Sequence, residues 1–216
     1  NQHAKWLLIA ASLTFYGYWD RRLLPLLLLA VVATWVTAYV ALSRAQPRWL
    51  LVGIAANLAL LAVFKYANFF LENLALVRGG EAVRASIVLP LAISFFTFHQ
   101  ISYLVDIWRR DAHLYRIDDY LLYIVFFPHL IAGPIVRHNE FMPQIAAGRS
   151  AASLEAAGRG LALFAAGLAK KLWIADPVSV ISDGLFAKAL QGPLSFEEGL
   201  ACTLAFALQI YFDFAG

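Results

Sequence analysis

The sequence predicts an all-α, multi-spanning integral membrane bundle with short or re-entrant helices. Three observations predict it. Hydrophobic residues make up 62% of the 216 positions and charged residues only 14%, against about 45–50% and about 25% in soluble domains. Apolar runs long enough to approach the roughly 20 residues that cross a bilayer recur along the chain. Between them lie short polar connectors rich in arginine, with aromatic residues at the run ends, where amphipathic rings favour the membrane interface.

The runs occupy residues 6–19, 23–42, 49–77, 87–108, 120–136, 154–174 and 199–215, about seven spans in one membrane domain over 1–216. The first is short, and the third is long enough to break or tilt. The connectors hold Asp20-Arg21-Arg22, Arg44 with Pro47-Arg48, Arg78-Gly79-Gly80, Arg109-Arg110-Asp111 and Gly192-Pro193. Successive connectors carry similar numbers of basic residues, so charge counting gives no orientation. The net charge of +3 is spread as pairs without a basic stripe or interleaved aromatics, which argues against nucleic acid as a partner and for lipid headgroups. One cysteine, Cys202, excludes an internal disulfide and a cysteine metal cluster; its apolar surroundings suit a buried thiol. The chain starts at Asn1 and stops at Gly216 without a signal-peptide pattern, and the expectation is a fragment truncated at both ends.

Chemistry concentrates in three places. Residues 126–137 read FFPHLIAGPIVR. Pro128 and Gly133-Pro134 break the helix and free carbonyls that need partners, while His129 and Arg137 are ionisable groups expected at membrane depth, functional candidates by default. In the fourth run His99, Ser102, Tyr103 and Asp106 stand at i, i+3, i+4 and i+7, one helical face. An Asp above a His can orient the imidazole for acid–base work; the competing reading is a polar stripe bonding neighbouring helices. Asp213 closes the last run in QIYFDFAG and is expected to need a basic partner, one not present in this stretch. Lys65 and Lys170-Lys171 are expected to snorkel. His3, His113 and His138 fall in connectors and are expected to be solvated. Walker, GxGxxG, HExxH and GxSxG motifs are absent, and nothing in the pattern supports a bound metal or resident cofactor.

At FFPHLIAGPIVR the chain resembles the membrane-bound O-acyltransferases, and within them the bacterial alginate O-acetyltransferase-like branch. Further blocks agree in order: FKYANFF at 64–70, LPLAISFFTFHQISYLVDIWRRD at 89–111, FAAGLAKKLWIAD at 164–176, DPVSVISDGLFA at 176–187 and LQIYFDFAG at 208–216. The resemblance implies a multi-pass protein of the bacterial cytoplasmic (inner) membrane. It implies transfer of an acyl group, expected to be acetyl, from a cytoplasmic thioester such as acetyl-CoA to a hydroxyl of an extracytoplasmic polysaccharide such as alginate. A periplasmic acetylation partner is implied as well. The family's essential histidine lies in a tryptophan-rich segment beyond the position of Gly216, and where His99 and His129 stand related proteins can carry Gln or Glu. The chain is therefore expected to supply tunnel-wall and supporting groups, His129, Arg137 and Asp213 first and Tyr103, Asp106 and Lys171 behind them, and to be inactive alone.

Two rival readings remain open from the residues. A transporter or flippase also buries polar groups at helix breaks. A non-catalytic scaffold of an envelope polysaccharide complex would need the same membrane frame.

Overall fold

A computed structural model of the chain describes residues 2–79, 85–130, 133, 135–146 and 153–216, and among these every regular element is helical. Two compact units divide the chain, Asn1–Gly148 and Arg149–Gly216.

In the first unit, α1 (Gln2–Trp19) and α2 (Leu24–Ser43) form a hairpin, and Pro25 in the first turn of α2 needs no hydrogen-bonding N–H. Next, α3 (Arg48–Leu61) runs through a π-helical turn, Ala62–Tyr66, into α4 (Ala67–Arg78), which stops at Gly79 with φ +66°. Only a residue without Cβ adopts that conformation at no cost. Two stretches are long and apolar enough to cross a membrane, Leu24–Ser43 and the continuous Arg48–Arg78 of 31 residues. At 1.5 Å per residue the second is about 46 Å long, well beyond a hydrocarbon core of about 30 Å. It holds the expected third span, and its irregularity is the π turn at Lys65.

The expected fourth span starts later than its hydrophobicity suggests: α5 (Ile93–Arg109) begins after Ala92, whose φ is +57°. The expected fifth span, residues 120–136, is not one helix. Its first part is α6 (Ile117–Val125), nine residues and therefore about 14 Å long. After Phe126 a single turn, α7 (Phe127–Leu130), follows, with Pro128 in its first turn where a missing N–H costs nothing. The chain then doubles back. Tyr123 donates to the Val136 carbonyl at 2.9 Å, and the next helix, α8 (His138–Ala146), starts beside Asp106 of α5. Gly133 permits the reversal, because a Cβ there would stand 2.3 Å from the His129 Cα. Pro134 lies outside the described residues.

Packing follows the sequence pattern. Leu27, Val31 and Ala38 of α2 join Phe96, Tyr103 and Leu104 of α5 and Tyr120, Tyr123 and Ile124 of α6 in one core. Side chains of α2 and α5 press on α3 at Gly53, where a Cβ would lie 2.5 Å from the Thr37 Oγ1 and 2.8 Å from the Leu104 Cδ1. Small residues at such crossings allow dense packing in an apolar medium. One turn along, the Asn57 amide donates to the Thr34 Oγ1 at 2.8 Å and to the Gly53 carbonyl at 2.9 Å, the interhelical bond a bilayer favours.

The second unit holds α9 (Leu154–Lys170), a π-helical turn Lys171–Ala175, α10 (Asp176–Ala189) and α11 (Phe196–Ala215). The expected sixth span, 154–174, is thus the first part of a helix that continues to Ala189. Ser153 caps α9 through the Ala156 N–H, and Ser195 with Glu198 forms a capping box on α11. Ser182 donates to the Gln209 Oε1 at 2.6 Å, Phe186 meets Phe206 edge to face, and Cys202 is buried as expected. Much of the rest of this unit's apolar surface is bare, including Phe164, Trp173 and Val180, as suits a surface covered by lipid or by further protein.

A bulky side chain at Gly53 cannot be absorbed by flexible neighbours, since Thr37 is on a helix and Leu104 is fully buried. Gly53→Val is expected to cost about 1–3 kcal/mol and Gly53→Ala less, read as thermal stability in detergent; equal stability of all three proteins would contradict the close crossing.

Candidate functional site

The reversal after α6 brings four segments together around buried histidines. His99, His129 and His138 are 1%, 4% and 2% exposed. The expectation that His138 is solvated fails: the returning chain carries it into the bundle. Its Nε2 lies 2.9 Å from Asp106 Oδ2 and its Nδ1 lies 3.0 Å from the Tyr115 hydroxyl. A carboxylate only accepts, so Nε2 carries the hydrogen; in the neutral imidazole Nδ1 then accepts from Tyr115. Asp106 does orient a histidine, but it is His138, 32 residues away, and not His99 on its own helix.

Tyr103 is fully buried one turn from Asp106. Its hydroxyl donates to the His113 carbonyl at 3.2 Å and accepts from the Tyr115 N–H at 3.3 Å. Trp35 of α2 donates to the Tyr115 carbonyl at 2.9 Å. The connector 110–116 is thereby held against α5, with Tyr115 stacked on Tyr103 at 5.7 Å between centroids. His113 is exposed, as expected, and its ring meets Tyr115 at 4.5 Å.

His129 sits deeper, its Nε2 donating to the Tyr123 carbonyl at 2.9 Å, a group freed where α6 ends. Its ring is 5.4 Å from that of His99 and 5.6 Å from that of Phe141. Among the described residues neither ring nitrogen of His99 has a hydrogen-bond partner, nor does the side chain of Gln100. Buried polar groups of this kind are normally satisfied, which marks the helix face 96–103 as more than packing. Arg137 is exposed and stands next to buried His138, just before α8.

An ionic cluster fastens α1 to this region. Lys5 Nζ lies 2.5 Å from Asp118 Oδ2 and 2.8 Å from Asp119 Oδ1, and Arg116 Nε is 3.1 Å from Asp118 Oδ1. Burial pushes the Asp118 carboxyl up, but hydrogen bonds from Lys5 and Arg116 outweigh it and hold it below its ordinary 3.8. Burial likewise lowers the Lys5 amine, and the two carboxylates more than reverse this, leaving it above 10.5. Next to this cluster a cavity of about 530 Å³ opens between α1, the connector and α8, lined among others by Lys5, Tyr115, Arg116 and Asp119.

In the second unit the partner of Asp213 is present within the chain, contrary to expectation. Lys171, at the start of the π turn, lies 2.6 Å from Asp213 Oδ1 and 2.8 Å from Asp176 Oδ1. The wider turn re-aims the side chain, and such turns are common at functional positions. Lys170 donates to the Ala215 carbonyl at 3.1 Å. Among the described residues no group of three or more His, Cys, Asp or Glu side chains is placed to hold a metal.

An apolar frame, helical throughout the described residues and with two helices long and apolar enough to cross a membrane, is compatible with a helical membrane protein. Comparison with known proteins narrows the class. The chain is 36% identical to a peptidoglycan O-acetyltransferase of Helicobacter pylori, over 97% of this chain and 45% of that protein. It is 36% identical to the probable alginate O-acetylase AlgI of Pseudomonas putida, over 97% and 44% of the two chains. The same protein of Pseudomonas aeruginosa is 35% identical, over 97% and 41%. The chain thus spans less than half the length of the curated relatives it matches. No family model and no solved structure matches the chain. The ordered sequence blocks and these relatives agree, and the chain belongs to the alginate O-acetylase-like branch of the membrane-bound O-acyltransferases.

Two outcomes test the site's geometry. Asp106→Leu strands the His138 Nε2–H in the interior and is expected to cost about 1–3 kcal/mol, whereas Asp106→Asn keeps an acceptor and loses less; thermal unfolding in detergent separates them. The Asp118 contribution to docking α1 is fully present above 3.8 and is lost as pH falls through the lower folded value, while that of Lys5 is fully present below 10.5 and is lost as pH rises through the higher folded value. Hydrogen exchange of α1 should therefore accelerate at both extremes, and Lys5→Met should flatten the profile.

Proposed function

We propose that this chain is part of a membrane O-acetyltransferase that moves an acetyl group from a cytoplasmic thioester such as acetyl-CoA to a hydroxyl of an extracytoplasmic polysaccharide. The observation that carries the reading is identity of 34–36% over 97% of the chain with proteins named as O-acetyltransferases and O-acetylases. The protein works as a multi-pass component of the bacterial inner membrane, with membrane lipid around it and a periplasmic acetylation protein as partner. The relatives' names include both peptidoglycan and alginate, so the acceptor class is an envelope polysaccharide.

The chemistry needs three things: a base for a weakly nucleophilic hydroxyl, donors for the tetrahedral oxyanion, and a site that keeps water from the thioester. None of the five histidines in this chain is assigned the base; that role goes to the downstream histidine the resemblance implies. This chain's part is the wall of the acyl path. Buried His129 and the broken backbone around Pro128 and Gly133 form one polar side of it. Asp106 and Tyr103 hold the returning segment through His138, exposed Arg137 stands at its end, and the Lys171–Asp213–Asp176 group is a second polar element.

Membranes carrying the full-length protein and labelled acetyl-CoA test the activity: transfer of label into polymer is expected, and transport of polymer without label incorporation would replace the reading. His129→Ala in the same protein is expected to lower transfer at least about tenfold at unchanged expression, comparable to losing one positioned polar group; wild-type transfer by both His129→Ala and Arg137→Ala proteins would remove the wall assignment.

A further inference from the structure

The cavity between α1, the connector and α8 is not needed to explain the fold, and its chemistry is specific. It measures about 530 Å³ and is lined by Gln2, Lys5, His113, Tyr115, Arg116 and Asp119 together with apolar side chains of α8. Such a volume, with a few convergent polar groups, is typical of a small-molecule or oligomer subsite. Its charges are matched internally: Lys5 is held by Asp118 and Asp119, and Arg116 by Asp118. Two cations against two carboxylates leave no excess positive field, so a phosphate-bearing ligand gains little there. What remains is a set of neutral hydrogen-bonding capacities. Arg116 and Gln2 keep free N–H donors, Asp119 keeps lone pairs, and the Tyr115–His113 ring pair offers an aromatic face.

Tyr115 also connects the cavity to the buried couple behind it. With His138 Nε2–H donating to Asp106, Nδ1 of the ring accepts the Tyr115 proton whenever the imidazole is neutral. The phenol hydrogen is thus committed inward, and the lone pairs of the phenol oxygen are left to accept from a ligand. A site that accepts hydroxyl protons at Tyr115 and Asp119, donates from Arg116 and Gln2, and carries no net charge fits a polyhydroxylated ligand.

We propose that this cavity is a saccharide subsite in which Tyr115, held as an acceptor by the Asp106–His138 couple, receives a sugar hydroxyl. The inference rests on the acetyltransferase reading only for the biological source of the sugar. His138 and Asp106 are positioning residues: they touch Tyr115 and not the sugar. If the subsite feeds the transfer reaction, the hydroxyl bound there is presented with its oxygen lone pairs free toward the acyl carbonyl.

The test uses the full-length protein in nanodiscs and measures binding of cellohexaose, a mannuronate hexamer and coenzyme A by microscale thermophoresis. Tyr115→Phe is expected to weaken saccharide binding about fivefold to tenfold and leave coenzyme A unchanged. Two His138 variants separate positioning from bulk. Asn puts its Oδ1 near the place of Nδ1 and keeps an acceptor for Tyr115, whereas Gln puts its Nε2 near the place of Nε2 and keeps only the Asp106 contact. His138→Asn should therefore retain saccharide affinity and His138→Gln should lose it. Equal behaviour of Asn and Gln proteins, or saccharide binding indifferent to Tyr115→Phe, overturns the proposal. Loss of coenzyme A binding with saccharide binding intact overturns it in favour of a donor site. If the Tyr115 variant fails to fold, Arg116→Gln, at an exposed position, gives the same readout, with unchanged saccharide affinity again overturning the proposal. Labelled acetyl transfer by the unmodified protein is scored separately, so failure of the subsite and failure of the acetyltransferase reading are distinguishable.

Discussion

The hydrogen bond between His138 and Asp106 is the constraint on which the first unit's interior depends. It fastens the end of the returning chain to α5, and through Tyr115 it fastens the connector as well. A carboxylate and an imidazole inside an apolar bundle persist only when each has a partner, because an unpaired buried group costs more than the bond itself returns. The pair is seconded by the Tyr123 hydroxyl, which donates to the Val136 carbonyl and so holds the chain just before His138 against the end of α6.

That arrangement also separates the roles of the three buried histidines. His138 is fixed at both ring nitrogens and acts on Tyr115. His129 closes the carbonyl left open at the end of α6 and leans on aromatic rings. His99 has no protein partner among the described residues. Three histidines from α5, α7 and α8 thus form a clamp, a helix-end seal and a buried polar side chain without a partner among the described residues. In an acetyl-transfer reading, the last of these suits the wall of a passage more than the site of bond making.

The sequence made part of this legible. Pro128 and Gly133 announced the break, since a missing N–H and a missing Cβ both act locally. The polar face of α5 was legible too, because His99, Tyr103 and Asp106 recur at helical spacing and all three are buried. Residue spacing did not reveal which histidine Asp106 would meet, as the partner lies 32 positions away across a reversal. Nor did it place Lys171 with Asp213, 42 positions apart on different helices. Connector position was a poor guide for His138: a residue just outside an apolar run is exposed only if the chain leaves the bundle there.

By itself, then, the sequence determined the helical membrane character, the places where helices break and the family to which the chain belongs. These follow from composition, from proline and glycine stereochemistry and from ordered motifs, all of which are properties of short stretches. The tertiary structure decided that α6 ends at Val125 and Val136 returns to Tyr123, that Asp106 serves His138, that Asp213 has its lysine, and that Arg137 is exposed. Each is a choice among distant polar partners, and burial settles such choices by making every unpaired alternative more costly.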